Sequence, residues 1–135
     1  MKILLLSPSL NSGGVETGTI DLAISKNIGE DVIVVSSVGP LVKELEKSNI
    51  KHIKLPIHKK SLTALLQIGK LASIIKQEHI DIVHAQSRVP AWIAYFACKN
   101  TRATFITSCH GYYSKHLFSS VMGWGKEVIV ISQII

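Results

Sequence analysis

The chain has 135 residues, 47% apolar and 18% charged, and its 15 Lys and Arg against 9 Asp and Glu give a formal charge of +6. That length suits one domain rather than two, and the apolar share excludes a disordered chain. The positive residues concentrate in Lys51-His52-Ile53-Lys54 and His58-Lys59-Lys60 with no aromatic-interleaved basic stripe, which argues against nucleic acid and leaves an anionic membrane surface or a phosphorylated ligand as partners.

The first element is a short apolar run, Lys2 to Leu6, bounded by Ser7-Pro8-Ser9-Leu10-Asn11-Ser12-Gly13-Gly14. A run so short and continuous predicts a strand buried on both faces, and the helix expected to follow makes it the first half of a β-loop-α unit. Helix one is predicted from about Val15 to Asn27, because Ile20, Ala23, Ile24 and Ile28 recur at three-and-four spacing before the stop at Gly29. Strand two is Asp31 to Ser36. Gly39-Pro40 then opens a short helix with Leu41 and Leu45 as its buried face. Strand three, Lys51 to Leu55, alternates in polarity, as suits a sheet edge.

Ser61 is the expected N-cap of a long helix whose stripe is Ala64, Leu65, Ile68, Leu71, Ala72 and Ile75, ending about Glu78. Strand four is Asp81 to His84, with Ala85-Gln86-Ser87-Arg88-Val89-Pro90 as its exit loop. The next helix, Ala91 to Ala97, is apolar nearly all round and should be deeply packed. Strand five is Ala103 to Ser108. A short amphipathic piece, about His116 to Met122, precedes the turn Gly123-Trp124-Gly125, and strand six is Glu127 to Ile131. The chain stops at Ser132-Gln133-Ile134-Ile135, where Ser132 would cap another helix, so the pattern reads as interrupted.

Strands alternating with helices predict an α/β domain: a Rossmann-like doubly wound parallel sheet of about six strands, in the order three-two-one-four-five-six, with helices on both faces. In that order the crevice lies beyond the carboxyl ends of strands one and four. Strand one delivers Asn11, Ser12, Gly13, Gly14 and Glu16 there; strand four delivers His84, Gln86, Ser87 and Arg88; strand five delivers Ser108, His110, Gly111 and Tyr112. The glycine pair either makes a plain turn or brings backbone N–H groups and a helix N-terminus to a phosphate. Its spacing is not that of a nicotinamide site, and no Gly-Lys-Ser/Thr phosphate loop exists.

Of six histidines, His52, His58, His79 and His116 read as solvated. His110, just off a buried strand, is the best placed for catalysis, against the alternative that it only ties down its loop. His84 serves either the site or its neighbouring backbone groups, and Arg88 either an anion or the ordinary surface. No spacing of His, Cys and carboxylates predicts a bound metal. Cys98 and Cys109 read as free thiols in a reducing cytosol. No run approaches membrane-spanning length, and Pro8 cuts the first apolar run too short for a signal peptide. The expected location is the cytoplasm, with peripheral contact at the inner membrane surface left open.

Four segments taken together, the loop Gly13-Gly14-Val15-Glu16, Asp81-Ile82-Val83-His84-Ala85-Gln86-Ser87, Thr107-Ser108-Cys109-His110-Gly111 and Val128-Ile129-Val130-Ile131-Ser132, closely resemble the amino-terminal, acceptor-side half of the family 4 glycosyltransferases. The likeness covers essentially the whole chain. It implies half of a GT-B fold and a retaining, metal-independent transfer of a sugar from a nucleotide-diphosphate sugar to a sugar or lipid-linked acceptor, in carbohydrate or cell-envelope biosynthesis. By position, Gly13, Gly14 and Glu16 match the donor-binding loop and His110 the histidine that contacts the donor sugar near the reacting carbon. Asn11, His84, Ser87 and Arg88 fall on the acceptor side, and Gly111 and Ser132 match positions of unassigned role. No cofactor is implied beyond the nucleotide sugar itself. Such enzymes carry a second, carboxyl-terminal domain that binds most of the nucleotide, so residues 1–135 are expected to be one truncated domain with that partner separate or absent, and inactive or weak alone. The other reading keeps the fold as a non-catalytic binding module for a phosphorylated or nucleotide ligand, or as a relic without function.

Overall fold

The structure, a computed structural model, describes residues 1–11, 13–26, 31–58, 62–110 and 117–130. Its elements in chain order are β1 (Lys2–Leu6), α1 (Gly14–Lys26), β2 (Asp31–Ser36), α2 (Val42–Lys47), β3 (Lys51–Lys54), α3 (Thr63–Gln77), β4 (Ile82–Ala85), α4 (Arg88–Cys98), β5 (Thr104–Cys109), α5 (Leu117–Ser120), a 3₁₀ turn (Val121–Gly123) and β6 (Glu127–Val130). All strands pair in parallel in the order β3-β2-β1-β4-β5-β6, the doubly wound arrangement read from the alternation of strands and helices.

Two cores flank the sheet. One face buries Leu4, Leu6, Val83 and Ala85 under α3 and α4, with Leu71, Ile75, Ile93 and Ala94 facing them. The other buries Leu5, Val32 and Val34 under α1 and α2, with Ile20, Ala23 and Leu45. Strands covered on both faces are apolar on both, which is why β1 and β2 read as nearly unbroken runs, while central β4 breaks its run with the buried His84. At the margins that demand lapses: β3 has exposed lysines at both ends and only half-buried residues between them, and all four residues of β6 are exposed.

Several expectations need correction. Helix α4 begins at Arg88, so the loop after β4 is only Gln86-Ser87. Pro90 is the third residue of α4, inside the first turn, where an N–H has no partner within the helix. Helix α3 turns Leu65 outward, 64% exposed, and buries Gln67. Its many apolar residues make a stripe too wide for the sequence to say which edge meets the sheet. Ile24 of α1 is likewise exposed, and the inward positions are Thr19, Ile20 and Ala23. Strands β4 and β5 each run one residue further than expected and start one later. The expected positions Ile28, Gly29, Ser61, Gly111, Tyr112 and Ser132 lie outside the described residues.

Helices α2 and α3 end alike. Asn49 and His79 take the left-handed conformation, at φ 56° and 54°. Each lets the following isoleucine N–H reach back to the last turn, Ile50 to the Leu45 carbonyl at 2.9 Å and Ile80 to that of Ile75 at 3.0 Å. Both isoleucines are buried, completing a Schellman cap without glycine.

The loop after β1 is held by the loop after β2. Ser7 N–H donates to the Val35 carbonyl at 3.1 Å, Ser37 Oγ to that of Pro8 at 2.8 Å, and Leu41 N–H to that of Leu10 at 3.0 Å. Gly39 makes this fit possible, since a Cβ there would fall on the backbone of Leu10 and Asn11.

Candidate functional site

Residues two apart on a strand face the same side of the sheet. β4 and the residue directly after it put Ile82, His84 and Gln86 on the side of α1, and neighbouring β5 with the residue after it puts Ile106, Ser108 and His110 there. These residues border a cavity of about 410 Å³, walled by Gly18 and Leu22 of α1, floored by Ile3 and Leu5 of β1, and reaching Ile129 of β6. Among the described residues α1 is the only helix bordering it, because α3 and α4 pack on the opposite face.

The cavity is apolar along the strands and polar at their carboxyl ends. There four side chains meet: Ser108 Oγ lies 2.6 Å from His84 Nε2, the Gln86 amide nitrogen 3.4 Å from that same Nε2, and His110 Nε2 donates to Gln86 Oε1 at 2.7 Å. Such diagonal contacts between adjacent strands are within reach of long side chains. His84, Gln86 and Ser108 are buried, and His110 is half-buried.

Burial disfavours charge at both imidazoles. It lowers His84 to about 4, helped by the adjacent His110, and lowers His110 below its ordinary value. Both rings are therefore neutral at pH 7. Ser108 beside His84 is not an activated nucleophile: the ring is a weak base, and no carboxylate among the lining residues orients it. What the cluster offers is hydrogen bonding to an uncharged polar ligand in a place of low dielectric. Among the described residues no group of three or more His, Cys, Asp or Glu is placed to hold a metal. Both thiols are buried and free, and burial pushes Cys98 up to about 12 and raises Cys109.

The other sequence-predicted residues divide. Gly13, Gly14 and Glu16 stand at the same rim of the sheet, following the carboxyl end of central β1, but not among the residues lining the cavity; α1 contributes Gly18 and Leu22 instead. Gly13 precedes α1, and its carbonyl accepts the Thr17 N–H at 2.9 Å. The Glu16 carboxylate folds back over Gly13, in the space a Cβ would need, while Gly14 has open space around it. Asn11 is exposed and donates to Ser9 Oγ at 3.2 Å. Ser87 takes the N-cap position of α4 in extended conformation without a side-chain cap bond. Arg88 donates to Ser119 Oγ at 3.2 Å and lies over the Phe118 ring, and it is not among the residues lining the cavity. Of the residues expected on the acceptor side, His84 therefore neighbours His110 and Arg88 contacts α5. His52, expected in solvent, is half-buried with Nε2 2.7 Å from Ser36 Oγ.

The sequence places Gln86 and Ser108 at the crevice without a role, and the patterns His-x-Gln and Ser-x-His on successive strands are the signal that links them to the two histidines.

The profile described as Glycosyltransferase Family 4 matches residues 12–134. Among solved structures, a glycosyltransferase from Rickettsia africae ESF-5 is 41% identical with a TM-score of 0.83, the match covering 97% of this chain and 36% of that one. HepE of Anabaena, solved in complex with UDP, is 23% identical with a TM-score of 0.69, over 84% of this chain and 30% of that one. MurG of Acinetobacter baumannii is 13% identical with a TM-score of 0.73, over 96% and 40%. The last two speak for the fold alone. No curated protein matches the chain. The chain spans 36% of the length of the Rickettsia protein.

Proposed function

The chain belongs to glycosyltransferase family 4, and from that membership we propose that it forms the acceptor-side wall of a GT-B sugar-transfer cleft. The reaction is transfer of a sugar, with retention and without a protein-bound metal, from a nucleotide-diphosphate sugar to a sugar or lipid-linked acceptor. The observation that carries the reading is the cluster of His84, Gln86, Ser108 and His110 at the carboxyl rim of a doubly wound sheet, beside the strand where the winding reverses.

His110 is the residue that touches the donor sugar. Half-buried and neutral, it hydrogen-bonds without adding a fixed charge, and a preorganised group in such a place stabilises charge developing at the reacting carbon. Gly14, with nothing within 4 Å of a built Cβ, leaves room for a ligand to approach the start of α1, whose dipole suits a diphosphate. Most of the nucleotide is bound by a second domain or subunit, since one wall of a cleft does not exclude water from the reacting centre. The +6 charge fits an acceptor carried at an anionic membrane surface.

The test follows transfer of labelled sugar from a panel of nucleotide-diphosphate sugars, with the chain alone and with the polypeptide that supplies the nucleotide-binding half. Transfer is expected only with both, and His110→Ala should lower it by about a hundredfold while leaving the circular dichroism spectrum unchanged. Turnover by the chain alone overturns the division of labour. Transfer indifferent to His110→Ala overturns the site, and ligand binding without turnover in the complete assembly favours the binding module.

A further inference from the structure

We propose that Gln86 is a positioning residue that sets which nitrogen of His110 faces a ligand. The argument rests on the proposed function only for its bearing on sugar transfer; the hydrogen bond stands without it. An amide oxygen only accepts, so the 2.7 Å contact from His110 Nε2 to Gln86 Oε1 requires the proton on Nε2. The neutral ring then carries its lone pair on Nδ1, which has no hydrogen-bond partner among the described residues. A ligand at His110 therefore meets an acceptor, and the chemistry it selects is a hydroxyl that donates. A carboxylate or phosphate oxygen would meet a lone pair and be repelled.

The amide is buried with each of its ends against one ring, so its orientation is tied to both tautomers. Gln86 is only 2% exposed, its backbone N–H donates to the Leu6 carbonyl at 3.0 Å, and its amide nitrogen is turned to His84 Nε2. Ser108 Oγ lies 2.6 Å from the same His84 Nε2, and with the amide nitrogen turned to that atom the hydroxyl is the donor and Nε2 carries no proton. The polarity runs consistently: Ser108 donates to His84, Gln86 offers its NH₂ to His84 and its oxygen to His110. Reversing the amide would require His84 to carry its proton on Nε2 and the Ser108 hydroxyl to accept, so the polarity changes only if the whole relay turns together. A glutamine that merely filled space would leave the two tautomers of His110 close in energy.

The test is nitrogen NMR of the imidazoles in the chain labelled on histidine, above pH 7 and without ligand. Wild type should show His110 with Nε2 in the protonated form and Nδ1 in the unprotonated form, as a single tautomer. Gln86→Met, which keeps length and loses the acceptor, should give a mixture. Gln86→Glu keeps the acceptor and adds a charge, so the His110 titration should move up by about one pH unit or more. A wild-type ring protonated on Nδ1, or a tautomer unchanged in Gln86→Met, overturns the proposal. If the variants fail to fold, the wild-type tautomer decides it. The readout involves no sugar transfer, so a failure of the glycosyltransferase reading leaves this result standing.

Discussion

Acid should weaken this fold through one buried ring. His84 takes up its second proton only at about 4 because burial, and then the neighbouring His110, penalise the charged form; in the unfolded chain the same ring titrates near 6.5. Above pH 6.5 it is neutral in both states and contributes no slope. Between 6.5 and 4 the unfolded chain binds a proton that the folded chain refuses, so stability falls as pH falls; below 4 both states are charged and the loss is complete. A gap of about 2.5 units amounts to about 3.4 kcal/mol in full, and to about 2 kcal/mol by pH 5. His52 and His110 are lowered too and act in the same direction, so the wild-type slope alone does not isolate His84. His84→Gln does, because it keeps a polar partner for Ser108 without a titrating group. Urea unfolding at pH 7.5 and 5.0 should show the wild type losing about 2 kcal/mol more than the variant over that interval. Equal losses, or an NMR titration of His84 near 6.5, would refute the reasoning.

Two backbone predictions accompany it. Gly39→Ala should cost about 1–3 kcal/mol in chemical denaturation, because the added methyl meets main-chain atoms of Leu10 and Asn11 rather than a side chain that can move aside; Gly14→Ala, with open space around it, should stay within about 0.5 kcal/mol, and equal effects at the two sites would sink the contact argument. His79→Gly should stabilise by about 1 kcal/mol, seen as a melting temperature ~3 °C higher, since glycine adopts the left-handed cap of α3 without the strain a Cβ brings. An unchanged or lower melting temperature counts against that cap.

The strand order was legible because short apolar runs such as Leu4-Leu5-Leu6 and Val32 to Val35 alternate along the chain with segments long enough for a crossover helix. The histidine cluster was partly legible: His84 and His110 stand out as polar residues at strand ends. Their link was harder to see, since it runs through a glutamine that looks like loop filler until the two-residue period is carried past the end of β4. Arg88 misled for a related reason, because Pro90 suggested a later helix start and left the arginine in a loop it does not occupy. The left-handed caps were hidden by Asn49 and His79 standing where glycine is the usual signal.

The exposure of β6 bears on how the protein behaves in the tube. Val128, Ile129 and Val130 are each 40% or more accessible on a strand whose outer side has no neighbour among the described residues. An open apolar border of that kind is a template for strand-on-strand stacking. Crowded preparations would therefore clump through this margin first, and a lysine in place of Ile129 is where a soluble form would begin.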